Sequence, residues 1–197
     1  MDSGKKIERY ALISLYNKAK LSYLCNNLLK YNIRFIATGS TYQKIISMGF
    51  RCQKLSNLTK FKEILDGRVK TIHPKIHASI LYKRDNKKHL KTFSKMNFPS
   101  IDFVIVNLYP FKKTLITSKN ENKIIDMIDI GGPLMIRSAA KNFKFVTAIC
   151  DTSSYNDLII NLKNNNGKTN LVFRKKMASK VFKLMSEYDS VVHKWLS

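Results

Sequence analysis

The chain has 197 residues, of which 44% are hydrophobic, enough for one globular domain with a sizeable core. It carries 36 Lys and Arg against 13 Asp and Glu, a formal charge of +23. Charge alone favours a nucleic-acid binder. The cations, however, are mostly Lys, spread along the chain among Asn and Ile, and no basic run is interleaved with aromatic residues. We therefore expect a solvated basic surface and no specific nucleic-acid partner.

No apolar run is long enough to span a bilayer, so no membrane partner is expected. The N-terminus lacks the apolar stretch of a secretory signal, which favours a cytoplasmic protein. Cys25, Cys52 and Cys150 are far apart and match no metal-ligand spacing. We expect three reduced, mostly buried thiols, no metal site and no cofactor.

The first half of the chain alternates between strand and helix patterns. Residues 11–15 are a candidate buried strand, and apolar residues from Leu21 to Leu29 follow at helical spacing. Residues 34–38 are a second candidate strand, and residues 42–46 open another helix. The order strand, helix, strand, helix predicts an α/β fold with a parallel sheet.

The second half adds two strands and a C-terminal helix. Residues 101–106 are the most strand-like run, and residues 145–150 are a later buried strand. A polar loop at 164–168 precedes apolar residues at helical spacing from Phe173 to Trp195. We expect an α/β core at 1–163 and a helical extension at 164–197.

Polar or glycine-rich segments follow the carboxyl ends of several predicted strands, where open α/β sheets bind ligands. They are Ser14 with Lys18, residues 38–41, residues 107–109, and the Gly131-Gly132 turn before a helix. Their convergence predicts a single pocket.

Thr38-Gly39-Ser40-Thr41 links a predicted strand to a helix N-terminus, where backbone N–H groups and hydroxyls favour an anion. The alternative is an ordinary N-capped helix, with Ser40 or Thr41 as the cap.

Arg68 and Lys70 alternate about Val69, so in an extended segment both would face one ligand. The alternative is a basic surface turn. His73 and His77 are four residues apart, but Pro74 disfavours a regular helix across them, and structural roles are expected for both.

Four segments in one order, residues 66–77, 107–111, 128–133 and 137–142, resemble the IMP cyclohydrolase domain of the AICAR transformylase/IMP cyclohydrolase family. The resemblance runs from about Tyr10 to about Trp195. It implies a methylglyoxal synthase-like fold, a parallel twisted sheet flanked by helices with a C-terminal helical segment. It also implies a homodimer. The transformylase domain that follows in the family is expected to be absent.

The implied reaction is dehydrative closure of 5-formamidoimidazole-4-carboxamide ribotide to IMP, without a cofactor. Among the implied site residues, Lys70 and Tyr109 contact the carboxamide and formyl oxygens, and Asp129 and Lys141 form a proton-handling pair. The backbone of Gly131 and Gly132 supports the base. The ribotide phosphate is held by Ser14, Lys18, Thr38, Gly39, Ser40, Thr41, Arg68 and Thr71. Local alternatives are packing of Tyr109 under its loop and placement of Lys141 at a helix C-terminus.

Three departures from the family pattern stand out. Ser40 replaces the second of two glycines, where a side chain is expected to crowd the phosphate or to require a left-handed backbone. Asn17 replaces an Asp, and Ala19-Lys20 replaces Thr-Gly. The alternatives are a methylglyoxal synthase-type lyase or nucleotide sensor, a truncated non-catalytic remnant, and, from charge alone, a nucleic-acid binder.

Overall fold

A computed structural model describes residues 8–197; the N-terminal residues on which the expectation of no secretory signal rests lie largely outside this range. The described chain forms a five-stranded sheet in the order β3-β2-β1-β4-β5. Its pairings are parallel, which confirms the predicted fold class. The strands are β1 Arg9–Leu15, β2 Ile33–Ala37, β3 Cys52–Lys54, β4 Ile101–Asn107 and β5 Thr147–Ile149.

Helices connect and cover the strands. They are α1 Leu21–Leu29, α2 Gly39–Ser47, α3 Leu55–Thr59, α4 Pro74–Leu81, α5 Lys87–Ser94, α6 Phe111–Thr117, α7 Glu121–Ile125, α8 Gly131–Lys141, α9 Tyr155–Asn164 and α10 Leu171–Leu196. Short 3₁₀ turns lie at Leu65–Gly67 and Thr152–Ser154. Among the described helices, none is both long and apolar enough to cross a bilayer.

The strands are apolar throughout because both faces of the sheet are covered. In β1, Leu12 belongs to the core beneath α4 and α8, whereas Ala11 and Ile13 belong to the core beneath α1, α2 and α9. All three side chains are fully buried. The sheet is therefore the middle layer of a three-layer sandwich.

Helix α10 contributes to both cores. Phe173 and Met177 pack in the core of α1 and α9, while Val181 and Met185 pack in the core of α4 and α8. The expected division at residues 163 and 164 falls at the end of α9, and the packing continues across it.

Two helices begin earlier than the sequence pattern predicts. Helix α2 starts at Gly39, and α8 starts at Gly131, so Gly131 and Gly132 form a helical first turn rather than a preceding loop. Pro133 fits this turn because N–H groups there have no intrahelical partner.

Candidate functional site

The sheet order creates a crevice between β1 and β4. The chain adds β2 and β3 on one side of β1 and then β4 and β5 on the other, so the strand order reverses at β1. Leu15 and Asn107 pair at the carboxyl ends of β1 and β4. Such a switch point is where open α/β sheets bind ligands.

Hydroxyl groups from neighbouring strands meet at this edge. Ser14 Oγ lies 2.8 Å from Thr38 Oγ1 because β1 and β2 are adjacent. Thr41 has a different role, since its buried hydroxyl accepts from the Leu15 N–H at 2.9 Å and donates to the Leu15 carbonyl at 3.1 Å. The prediction of Thr41 as the helix cap is therefore wrong in this structure, because Thr38 is the cap and the Thr41 hydroxyl fastens α2 to β1. A phosphate contact of Thr41 stays a prediction.

Asn107 holds the loop that follows β1. Its Oδ1 accepts from the Tyr16 N–H at 2.8 Å and the Asn17 N–H at 3.0 Å, and its Nδ2 donates to the Asn17 carbonyl at 2.7 Å. Lys18 follows in this loop, and its Nζ donates to the Tyr16 carbonyl at 3.3 Å. The amide of Asn107 thus fixes the segment that carries Lys18.

The start of α2 requires glycine at position 39, not at position 40. Gly39 has φ +38°, and a Cβ placed on it would lie 2.6 Å from Lys70 Nζ. Ser40 is exposed, lies inside the helix and does not have a left-handed backbone. The expectation that Ser40 strains the backbone is therefore wrong, since Gly39 takes that conformation.

Lys70 and Thr71 connect the starts of two helices. The Lys70 ammonium lies against Gly39 at the start of α2, and the Thr71 hydroxyl occupies the space where a Gly131 side chain would lie, at the start of α8. Helix N-termini carry unpaired N–H groups and partial positive charge. The Lys70 ammonium beside the start of α2 therefore makes this edge attractive to anions.

Arg68 and Lys70 do not share a partner. The Arg68 backbone is helical, with φ −62° and ψ −30°, so the segment is not extended there. Its exposed guanidinium pairs with Asp126 at 2.7 Å, whereas Lys70 pairs with Glu63 at 2.5 Å. The expectation that both cations face one ligand is wrong in this structure. The ammonium of Lys70 also lies at the α2 end, which favours a phosphate contact over the predicted carbonyl contact.

Asp129 is fixed at the start of α8. Its Oδ1 accepts from the Gly132 N–H at 2.8 Å, and its own N–H donates to Tyr188 Oη at 2.7 Å. A Cβ on Gly132 would lie 2.5 Å from Asp129 Oδ2, so the glycine leaves room for the carboxylate. Burial raises the pKa of Asp129, although the backbone N–H groups of Gly132 and Tyr109 partly offset this effect.

Tyr109 follows β4 and remains 44% exposed. Its ring meets the Tyr16 ring edge-on, with centroids 5.6 Å apart, rather than packing beneath the loop. Burial and the nearby charges of Asp129 and Glu63 raise the pKa of the Tyr109 hydroxyl. The phenol therefore stays protonated near neutral pH and can donate a hydrogen bond.

Lys141 lies far from this edge. It ends α8, ten residues after Gly131, so about 15 Å of helix separates it from the site. The adjacent Asn142 donates to the carbonyls of Ile80 and Tyr82, and Tyr82 bonds Ser100 just before β4 begins. This is the amino edge of the sheet, so the predicted pairing of Asp129 with Lys141 is wrong within this chain.

The two histidines make structural contacts. The His73 ring accepts from the Lys75 N–H at 3.2 Å and caps α4, whose first residue is Pro74. The His77 ring contacts the Thr71 carbonyl at 3.2 Å and Ser138 Oγ at 3.1 Å. Desolvation by burial lowers the pKa of His77. Within residues 8–197, no cluster of His, Cys, Asp or Glu could hold a metal ion.

Two residues that the sequence analysis did not identify contact predicted site residues. Glu63 pairs with Lys70, and Tyr188 accepts a hydrogen bond from the Asp129 backbone. Glu63 stands seven residues from Lys70 and could have been found by examining the acidic residues before Arg68. Tyr188 lies 59 residues from Asp129 and had no sequence signal beyond its helical spacing.

Comparison with known proteins identifies the family of this chain. The MGS-like domain model matches residues 20–134, and the AICARFT/IMPCHase bienzyme model matches residues 139–197. The chain belongs to the MGS-like domain family, and its C-terminal part has the sequence pattern of the AICARFT/IMPCHase bienzymes. The resemblance stated from the four motifs is confirmed.

Similar proteins cover the chain almost completely. The "Bifunctional purine biosynthesis protein PurH" of Clostridium kluyveri is 46% identical over 186 residues, 94% of this chain and 37% of that protein. The protein of the same name in Clostridium perfringens is 40% identical over 190 residues, 96% of this chain and 38% of that protein. The chain thus spans little more than a third of their length. A solved structure titled "Crystal structure of ForH" superposes with a TM-score of 0.84 at 27% identity, covering 96% of this chain and 100% of that one.

Proposed function

We propose that the chain is an IMP cyclohydrolase that closes the ring of 5-formamidoimidazole-4-carboxamide ribotide to give IMP and water. The observation that carries this proposal is the Lys70-Thr71 segment, which joins the starts of α2 and α8 at the switch point. Tyr109 and Asp129 stand at the same edge. The purine biosynthesis relatives and the AICARFT/IMPCHase match support the choice of substrate.

The α2 end of the site would bind the ribotide phosphate. It offers the Ser14 and Thr38 hydroxyls, the first N–H groups of α2 at Gly39 and Ser40, and the ammonium groups of Lys18 and Lys70. Hydrogen bonds to a charged phosphate are stronger than neutral ones, so these donors hold one end of the substrate firmly. The Thr41 hydroxyl holds the start of α2 against β1 by its hydrogen bond with the Leu15 backbone. Arg68 could contact the phosphate only if its ion pair with Asp126 were broken.

The α8 end would carry the chemistry. The carboxamide nitrogen attacks the formyl carbon, so the nitrogen loses a proton and the formyl oxygen gains negative charge. Asp129 accepts that proton, and its raised pKa makes the carboxylate a better proton acceptor than an ordinary aspartate. The protonated Tyr109 hydroxyl stabilises the developing charge on oxygen.

The ring closes when that oxygen leaves as water. The formyl oxygen takes up two protons, one from the carboxamide nitrogen and one from the formamido nitrogen, so the reaction is balanced without an external acid or base. Gly131 and Gly132 carry no side chains, which lets the substrate approach the start of α8 and its N–H groups. Holding nitrogen and carbon in contact can supply several kcal/mol, about 7–11 at best.

The test is ultraviolet detection of IMP from the formylated ribotide with the purified chain. We expect IMP formation, and a loss of at least about 10²-fold for Asp129→Asn because a proton acceptor is removed. Asp157→Asn is the matched control, since Asp157 pairs with Lys176 on the surface. A folded wild-type chain that forms no IMP would refute the proposal, and cleavage of a sugar phosphate instead would identify the lyase alternative.

The homodimer stays a prediction, and sedimentation of the purified chain tests it.

A further inference from the structure

We propose that Glu63 is a resident anion, by which we mean that its carboxylate forms an ion pair with the Lys70 ammonium in the free protein. A phosphate-bearing ligand binds by displacing this carboxylate from Lys70. The identity of that ligand rests on the proposed function. The exchange itself requires only that the α2 end binds a phosphate group.

The contact with Lys70 is direct. Glu63 Oε2 lies 2.5 Å from Lys70 Nζ, which in turn lies against Gly39 at the start of α2. The Glu63 side chain is 56% exposed and that of Lys70 is 34% exposed, so the carboxylate can leave towards solvent. The hydrogen bond and charge of Lys70 lower the pKa of Glu63, which keeps the carboxylate ionised.

The local backbone places the two residues opposite each other. Ile64 and Val69 form an antiparallel bridge, with the Ile64 N–H donating to the Val69 carbonyl at 3.1 Å. In this register Glu63 lies across from Lys70, one position further out. The turn between them has positive φ angles at Leu65, Asp66 and Gly67. The chain reversal therefore aligns an acid with the cation of the site.

Electrostatics explains why an anion is needed there. A helix N-terminus is partially positive, so the Lys70 ammonium beside Gly39 is unfavourable without a neighbouring negative charge. Glu63 supplies one unit of negative charge. A phosphate dianion supplies up to two, and it also meets the hydroxyls of Ser14 and Thr38, which Glu63 does not contact in the structure.

A selectivity follows from this exchange. A ligand with a phosphate group replaces the anionic partner that Lys70 loses when Glu63 leaves, whereas a nucleoside without phosphate does not. A bound phosphate also repels a carboxylate that stays in place. Glu63 is thus a specificity-determining residue that weakens phosphate binding moderately and leaves nucleoside binding unaffected.

The experiment compares wild type and Glu63→Gln by calorimetry with IMP, inosine and inorganic phosphate. Glutamine keeps the size of the side chain and removes its charge. We expect IMP and phosphate to bind about 3- to 10-fold more tightly to the variant, the range for losing an exposed ion pair together with a like-charge repulsion. Inosine affinity should not change. Glu187→Gln is the matched control, because Glu187 forms an exposed pair with Lys183 on α10.

Lys70→Met tests whether Glu63 acts through Lys70. In the Lys70→Met background, Glu63→Gln should increase phosphate affinity less than it does in wild type, because the displaced ion pair is already gone and only the like-charge repulsion remains. Three results would overturn the inference: Glu63→Gln binds phosphate no better than wild type, Glu187→Gln gives an equal gain in affinity, or the gain from Glu63→Gln is undiminished in the Lys70→Met background. If Glu63→Gln binds phosphate more tightly but the wild-type chain forms no IMP, the role of Glu63 as a resident anion would be supported and the cyclohydrolase proposal refuted.

Discussion

The Asp129 carboxylate both makes a structural hydrogen bond and is proposed to accept a proton in the reaction. Its Oδ1 accepts from the Gly132 N–H at the start of α8, while burial disfavours its charge and raises its pKa. The two effects oppose each other, because the backbone N–H groups favour the ionised form. The net raised pKa means that the fold tolerates the charge at a cost, as expected where a carboxylate serves as a proton acceptor.

Asp129→Asn should separate these roles. The folded pKa lies above the ordinary 3.8, so the folded chain binds more protons than the unfolded chain in that window, and its contribution to stability falls as pH rises. The variant lacks this penalty but keeps an oxygen for the Gly132 N–H. We expect its melting temperature relative to wild type to rise from about pH 4 upwards, with activity lost. A loss of stability equal at all pH values would show a purely structural carboxylate.

Gly39→Ala should weaken phosphate binding as well as stability. The residue has φ +38°, where a side chain costs about 1–2 kcal/mol, and its methyl would lie 2.6 Å from Lys70 Nζ. Gly49→Ala is the control, since Gly49 has φ +84° but no described atom within 4 Å of the added carbon. Both variants should lose stability in thermal unfolding, and only Gly39→Ala should lose affinity in calorimetry.

The positions of single residues at this edge were predictable where a motif of recognisable residue types directly follows a predicted strand. Ser14 and Thr38 were placed at strand ends in this way, and the structure brings their hydroxyls within 2.8 Å of each other. Their phosphate contact stays a prediction. The expectation that Ser40 requires a left-handed backbone was wrong because the pattern of two glycines does not show which one has positive φ. The pairing of Lys141 with Asp129 was wrong within this chain because Asp129 lies just before α8 begins, whereas Lys141 is the last residue of that helix.

Helices and strands were predicted correctly where apolar residues follow a continuous helical or strand pattern. The apolar residues at helical spacing from Leu21 to Leu29 all lie in α1, and the most strand-like run, residues 101–106, lies in β4. The three-residue β3 and five-residue helices such as α3 are too short to show a period. Their positions are set by packing instead.

Helix α10 also holds the loop before α8. Tyr188 Oη accepts from the Asp129 N–H at 2.7 Å, and its ring packs edge-on against Phe111 at 6.1 Å. This contact joins residues 59 positions apart, so no local pattern predicts it. Through it, the C-terminal helix becomes part of the support of the site.

Tyr188→Phe should lower kcat more than it raises KM. The change removes the acceptor of the Asp129 N–H but leaves the phosphate end untouched, and a lost hydrogen bond costs about 1 kcal/mol of stability. Tyr82→Phe is the control, because the Tyr82 hydroxyl bonds Ser100 at 2.6 Å on the opposite edge of the sheet. Equal kinetic effects of the two variants would refute a positioning role for Tyr188.

Across the whole molecule, the parallel sheet was predictable because strands and helices alternate along the chain. The strand order was not, since it depends on which strands pair across long separations, as β1 does with β4. The order matters for function because the crevice exists only where the order reverses. The expectation of a helical extension identified α10 correctly as a helix but did not show that it completes both cores.

Helix α10 is packed into the α/β layers through buried apolar residues. Val181 is fully buried between α10 and the sheet, whereas Val172 on the same helix is 79% exposed. Val181→Asp would bury an unpaired carboxylate and should cost more than about 3 kcal/mol, while Val172→Asp should stay within about 0.5 kcal/mol.

Thermal unfolding followed by circular dichroism measures the difference between the two variants. If α10 completes the cores, Val181→Asp lowers the single unfolding transition of the whole chain, because strands and helix lose their packing together. If residues 1–163 were an independent domain, the same change would unfold only the C-terminal helix and leave the main transition in place. We expect the single lowered transition, since Val181 and Leu12 of the central strand lie in one core.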